Sequence, residues 1–226
     1  MKKNILIIQP GRFGDIIICL PIAKYYFDAG YEVDWLIPPP YVSMFQNINY
    51  CTPIDRITQH YYDVLDLSFG FNGPPEAWWQ VTRPRWKSFV EAKYFLARVP
   101  LDEKWNLEWE RDTEREDELY EKLDLPAKYL VYHDDGSQTS YPLELPPDVE
   151  KIEFSKVENY TVFDWYKVLE KAEEIHCIDS LLCNFVDAAF PDKEKRVFHD
   201  VRQPSSSVDR TIIRGWETQS YEKKDT

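Results

Sequence analysis

The opening of the chain constrains its fold most, because it reads strand, loop, helix, strand in immediate succession. Ile5-Leu6-Ile7-Ile8 is a continuous apolar run, the pattern of a strand buried on both faces. The loop Gln9-Pro10-Gly11-Arg12-Phe13-Gly14-Asp15 follows. It holds two of only seven glycines in 226 residues, so glycine there marks a backbone requirement. Residues 16–29 read as a helix with Gly30 as its C-terminal stop. Residues 32–37 predict a second strand, closed by Pro38-Pro39-Pro40, and residues 54–57 and 64–67 supply two more. Two successive strands joined through a helix are parallel, so the order predicts a doubly wound α/β sheet.

A second βα series starts at Tyr129-Leu130-Val131-Tyr132-His133 and runs into the turn-rich Asp134-Asp135-Gly136-Ser137. Residues 151–154 read as a strand. Thr161 caps a helix through Ala172, with Val162, Trp165 and Leu169 at helical spacing. Residues 174–178 form a strand, Asp179-Ser180 a cap, residues 181–190 a helix and residues 196–199 a further strand. Between the halves, residues 102–124 carry eleven acids and four bases, which supplies more than half of the net charge of −13. That block reads as a solvated helix face with i,i+4 pairs. The expected organisation is an amino-terminal Rossmann-like domain over residues 1–110 and a second one over 125–204, with a crevice between them. Residues 205–226 form a tail that packs back on the first domain or stays loose.

A pI near 4.8 argues against a generally basic nucleic-acid binder, though not against a local basic patch. Cys19, Cys51, Cys177 and Cys183 contain no C-x-x-C pair and sit in apolar settings, as reduced, buried thiols do. The apolar start is cut by Gln9-Pro10-Gly11-Arg12, too early for a signal peptide, and no stretch is long enough to cross a bilayer. The expected location is the cytoplasm, that of the host for a viral protein. No histidine pair or D-x-D has metal-ligand spacing, so no metal is expected. His176 lies inside a strand and reads as packed, whereas His133 ends a strand beside the expected crevice.

In open α/β sheets ligands gather where strands end and helices begin, which singles out Pro10–Asp15 and Asp179-Ser180. Gly11 and Gly14 form G-x-x-G, neither the dinucleotide fingerprint nor a P-loop. Asp15, at the start of an apolar helix, is either a cap and dipole partner or a carboxylate aimed into the crevice to take a proton from a hydroxyl. Asp179-Ser180 caps the later helix. The helix start at Ser180 and Leu181 also offers N–H groups to a diphosphate, with Gly136 and Ser137 as a second set of donors.

Residues 5–17 with Leu20-Pro21 resemble the amino-terminal signature of the ADP-heptose:lipopolysaccharide heptosyltransferase family: an apolar strand, a loop ending Gly-Asp, an apolar helix and Leu-Pro. Residues 163–189, with Trp165, Leu169, Ala172, Ile178-Asp179-Ser180 and Asp187-Ala188-Ala189, resemble its donor-site segment. That segment continues with Gly and His in the family, where this chain has Leu181 and Asn184. The resemblance implies a GT-B fold and an inverting, metal-independent glycosyltransferase using a nucleotide-diphosphate sugar. In it Asp15 is the general base, while Ser180 and Leu181, with Ser137 and Arg12, stabilise the leaving diphosphate.

The acceptor reading comes from Arg83, Arg85, Lys87, Lys93 and Arg98, interleaved with Trp86, Phe89, Tyr94 and Phe95 and opposed only by Glu91. Such a stretch is either an amphipathic helix with a solvated basic face or a surface for a polyanion. The chain is compact, like the viral GT-B enzymes that glycosylate hydroxymethylated pyrimidines in DNA. This favours a 5-hydroxymethylpyrimidine base as acceptor over a lipopolysaccharide core or another saccharide. A sugar-nucleotide-binding module without turnover is the reading from a different class.

Overall fold

The computed structural model describes residues 3–68, 88–136, 139–201 and 213–221. The chain divides between Glu110 and Arg111 into two compact α/β units, each built on an all-parallel sheet.

The first sheet has the order β3-β2-β1-β4. Its strands are β1 (Asn4–Ile8), β2 (Glu32–Leu36), β3 (Thr52–Ile54) and β4 (Asp63–Asp66). Ile5, Leu6 and Ile7 are fully enclosed because β1 is central, flanked by β2 and β4, as its unbroken apolar run predicts. Helix α1 (Phe13–Asp28) follows β1, and its residues from Ile16 to Ala23 are all buried. A second helix, α2 (Phe89–Leu96), starts from a reciprocal capping box between Ser88 and Glu91. It locks onto α1 through the Tyr94 hydroxyl, which donates to the Ile18 carbonyl at 2.8 Å.

The second sheet has the order β6-β5-β7-β8-β9. Its strands are β5 (Tyr129–His133), β6 (Glu150–Glu153), β7 (Glu174–Cys177), β8 (Arg196–Asp200) and β9 (Glu217–Ser220). Its helices are α3 (Thr113–Lys122), α4 (Tyr166–Lys171) and α5 (Leu181–Ala189). All four cysteines are buried thiols.

Three local expectations change. The acidic block is not uniformly solvated: Glu116 is buried and held by Arg111, and Arg115 reaches out of the block to the buried Asp164. Thr161 caps no long helix; a 3₁₀ turn (Phe163–Trp165) precedes α4, and Asp164 accepts from the Thr161 N–H and hydroxyl. The described tail residues are not loose: they add strand β9 to the second sheet, pairing in parallel with β8. Asp187 on α5 anchors that strand by accepting from the Arg214 N–H and Trp216 Nε1, both at 2.9 Å.

Candidate functional site

Each sheet has one place where the chain reverses its direction of growth. The first builds outward from β1 through β2 to β3, then crosses back to place β4 on the other side of β1. The second builds from β5 to β6, then places β7 on the other side of β5. Loops leaving the carboxyl ends of strands at such switch points diverge, and ligands bind there. They are the Gln9–Arg12 loop in the first unit, and the turns after His133 and Cys177 in the second.

In the first unit the loop is held from beneath. Gln9 is buried: its Nε2 donates to the Gly11 carbonyl at 2.9 Å, and its carbonyl accepts from Trp35 Nε1 at 3.0 Å. Its Oε1 accepts from Lys93 Nζ at 2.5 Å, and the same ammonium donates to the Leu67 carbonyl at 2.8 Å. Gly11 has φ +157°, and a Cβ there would fall 2.7 Å from a ring carbon of Tyr41, so the glycine is needed for close approach. Tyr41 also packs edge-on against Phe13, with ring centroids 5.0 Å apart. Arg12 has φ 62° and ψ 119°, a backbone state that side chains rarely adopt, and it occupies the N-cap of α1 without capping the helix by its side chain. The helix therefore begins three residues earlier than the sequence suggests, placing Gly14 and Asp15 in its first turn. Asp15 is not the cap. It is a partly exposed carboxylate at the positive end of an apolar helix.

The second unit uses ordinary parts. Ser180 is extended (φ −155°, ψ 177°) and caps α5, its hydroxyl accepting from the Cys183 N–H at 3.5 Å. The Asn184 N–H and Nδ2 both donate to the Ser180 carbonyl. Leu181 and Leu182 are the first two helical residues, whose N–H groups have no carbonyl within the helix to bond. The Ile178 N–H donates to the His133 carbonyl, bringing the β5 and β7 turns side by side, with Asp179 partly exposed between strand and helix. Gly136 behaves differently from expectation: it is buried and its N–H donates to the Thr139 carbonyl, closing a turn, so it offers no donor to a ligand. Ser137 lies outside the described residues. His133 packs edge-on against Phe154 at 5.2 Å between ring centroids.

Arg83, Arg85, Trp86 and Lys87 lie outside the described residues. Of the other two bases in that stretch, neither lines an open basic face. Lys93 is fully buried under the Gln9–Asp15 loop, and Arg98 is paired with Asp63 at 2.5 Å. Charge counting missed this because α2 is short and its one base, Lys93, points inward; Gln9 and Lys93 carried no sequence signal of a shared role.

His176 and His199 form a buried chain across the second sheet. His176 Nε2 meets Glu174 at 3.1 Å, His176 Nδ1 meets His199 Nε2 at 2.9 Å, and His199 Nδ1 meets the Tyr221 hydroxyl at 2.6 Å. With Glu174 an acceptor only, the protons run one way: Tyr221 donates to His199, His199 to His176 and His176 to Glu174. Burial lowers both imidazoles, against the pull of Glu174 on His176, and the neighbouring His176 helps to bring His199 down to about 4. Among the described residues, no group of three or more His, Cys, Asp or Glu could hold a metal ion, and no helix is long and apolar enough to cross a membrane.

No protein-family model matches the chain, and no curated protein matches it. Solved structures do. The iron-containing dodecameric glycosyltransferase TibC from enterotoxigenic E. coli aligns with TM-score 0.55 at 10% identity, over 88% of this chain and 58% of TibC. This chain thus spans little more than half of that protein. A glycosyl transferase family 9 protein from Veillonella parvula aligns at 0.52 and 12% identity, over 99% of this chain and 86% of the other. E. coli heptosyltransferase WaaC, solved with ADP, aligns at 0.52 and 11% identity, over 97% and 91%. The two parallel sheets, each flanked by helices, match these structures, and the chain has the α/β fold of GT-B glycosyltransferases.

Proposed function

We propose that the protein is an inverting glycosyltransferase that moves a sugar from a nucleotide-diphosphate sugar to a hydroxyl. The observation that carries this reading is Asp15: a partly exposed carboxylate in the first turn of α1, at the switch point of a GT-B-type sheet, behind an uncapped N-cap with positive φ. Asp15 takes the acceptor's hydroxyl proton as the oxygen attacks the anomeric carbon. The bond from that carbon to the diphosphate breaks, and its electron pair leaves with the diphosphate oxygen. The N–H groups at Ser180 and Leu181, at the positive end of α5, hold the charge that develops there. Arg12 and Asp179, one on each loop, are donor-binding residues in this reading, as is Ser137, which lies outside the described residues.

For the acceptor, Arg83, Arg85 and Lys87, with Trp86, support a polyanion, and we favour a 5-hydroxymethylpyrimidine base in DNA, flipped out to reach Asp15. The second reading, a saccharide acceptor such as a lipopolysaccharide core, is favoured by the likeness to E. coli ADP-heptose lps heptosyltransferase II, which aligns with TM-score 0.50 at 9% identity over 100% of this chain and 92% of the other. One experiment separates them. The protein is incubated with a pool of nucleotide sugars and either 5-hydroxymethylpyrimidine DNA, unmodified DNA or a glycolipid core, and products are read by mass. A sugar adduct on the modified DNA alone supports the first reading; transfer to the glycolipid alone overturns it. Donor binding without hydrolysis or transfer identifies a binding module instead, and neither binding nor turnover with any donor overturns the glycosyltransferase reading.

A further inference from the structure

The connection from β5 to β6 begins at the candidate donor side and is fastened far from it. Next to β5 it folds back on itself. The Gly136 N–H donates to the Thr139 carbonyl and the Tyr141 N–H to the Asp134 carbonyl, both at 2.9 Å, and Asp135 bridges to Ser140. This short hairpin starts beside the turn that leads to Asp179, because the His133 carbonyl accepts from the Ile178 N–H. Residues 142–149 then run to β6 with three prolines, no helix or strand and no buried residue. No core holds such a segment, so its position depends on individual polar contacts.

Those contacts come from the far end of the sequence. Among the described residues, the hydrogen bonds that tie residues 142–149 to a distant part of the chain are two at Glu144. Its N–H donates to the Tyr221 hydroxyl at 2.9 Å, and its Oε2 accepts from Gln219 Nε2 at 3.0 Å. Gln219 lies on β9 and Tyr221 just past it, so by strand alternation both side chains leave on one face. The Gln219 contact is at the surface, where water competes. The Tyr221 hydroxyl is the firmer of the two, because it also donates to Nδ1 of the fully buried His199 at 2.6 Å. His199 in turn meets His176 on β7, the strand that ends at Cys177. A backbone bond thus joins the two donor-side turns directly, and the chain Glu144, Tyr221, His199, His176 joins them a second time.

We infer that Tyr221 is a positioning residue for the donor side: its hydroxyl pins the β5–β6 connection to the sheet and so fixes the hairpin of residues 134–141. Strand β9 then matters as the carrier of this clasp. Its bearing on donor binding rests on the proposed donor site, whereas the clasp itself is tested without a ligand. Amide hydrogen exchange is followed by mass spectrometry in the full chain for wild type, Tyr221→Phe and Gln219→Ala. Tyr221→Phe keeps the ring and removes the hydroxyl. Exchange over residues 134–146 is expected to quicken by about tenfold, the scale of one lost hydrogen bond, while β5 and β7 keep wild-type protection. Gln219→Ala gives a smaller rise over the same residues and decides the matter should Tyr221→Phe not fold. Unchanged exchange over these residues overturns the proposal. So does an equal rise throughout the second sheet, which would make the hydroxyl a part of general stability only. On the same samples ADP, GDP, CDP, UDP and dTDP are titrated by calorimetry. Affinity for whichever binds is expected to fall by about threefold or more in Tyr221→Phe. A quickened loop with wild-type affinity overturns the positioning role. A wild type that binds none of the five removes the donor reading instead, and the exchange data alone then decide the clasp.

Discussion

The β1–α1 and β7–α5 junctions occupy the same place in two similar sheets and are built in opposite ways. At β7–α5 an extended serine caps the helix with its own hydroxyl. At β1–α1 the N-cap is an arginine at φ 62° with no capping side chain, preceded by a glycine pressed against Tyr41 and braced from below by Gln9 and Lys93. A junction needed only to start a helix would be built like the second. Unusual backbone states cost about 1–3 kcal/mol each and persist where the surroundings enforce them. The difference suggests a division of labour, with the strained junction presenting a carboxylate to an acceptor and the relaxed one presenting N–H groups to an anion.

The division breaks most visibly at Asp15. Asp15→Asn should leave the melting temperature within a few degrees of wild type and cut sugar transfer by at least about a hundredfold, the usual scale of lost general-base catalysis. Initial rates and a thermal melt on the same samples check both halves. A lower melting temperature with normal specific activity would make Asp15 a partner of the helix dipole and nothing more.

The contrast also reaches into the cores. Beneath the first junction lies a buried cation, whereas the second sheet buries two neutral imidazoles. In the unfolded chain His199 titrates near 6.5, in the folded chain near 4. Between those values the unfolded state binds more protons, so stability falls as pH drops from about 6.5 to about 4, by roughly 2–3 kcal/mol for this group. Glu174, whose carboxyl is lowered by Lys195 and His176, adds a loss in the same direction at lower pH. Urea unfolding at pH 7.0 and 4.5 measures the sum. His199→Gln should flatten the dependence, and an unchanged slope in that variant would contradict the tautomer chain.

Smaller effects sharpen the comparison through their sign. Arg12→Gly removes the positive-φ strain and should stabilise the fold by up to about 1 kcal/mol. Ser180→Ala removes a working cap and should destabilise by about 1 kcal/mol. Chemical denaturation of both variants is the check, and equal destabilisation at the two positions would mean that the junctions are not built differently after all.

What could be read in advance follows the same division. β1 and the Ser180 cap were legible because a continuous apolar run and a serine before an apolar helix are local signals. The start of α1 was read three residues late because Arg12 is no capping residue and Asp15 imitated one. Lys93 was counted with a surface patch because a sum of charges carries no direction; only packing against Gln9 and Leu67 turns it inward. Strand β9 had no signal at all. Glu-Thr-Gln-Ser is polar throughout, and its place at the sheet edge is set by pairing with β8 and by Asp187 and His199 far away in sequence.

The central claim, that one junction serves the acceptor and the other the donor, is tested most directly by calorimetric titration of the donor's nucleoside diphosphate. The titration is run into wild type, Asp15→Asn and the double variant Asp179→Ala with Ser180→Ala. Wild-type affinity is expected in Asp15→Asn, and binding weaker by about tenfold or more in the double variant, which disturbs the helix start that presents the N–H groups. Unchanged affinity in the double variant, or binding abolished by Asp15→Asn alone, would contradict that claim.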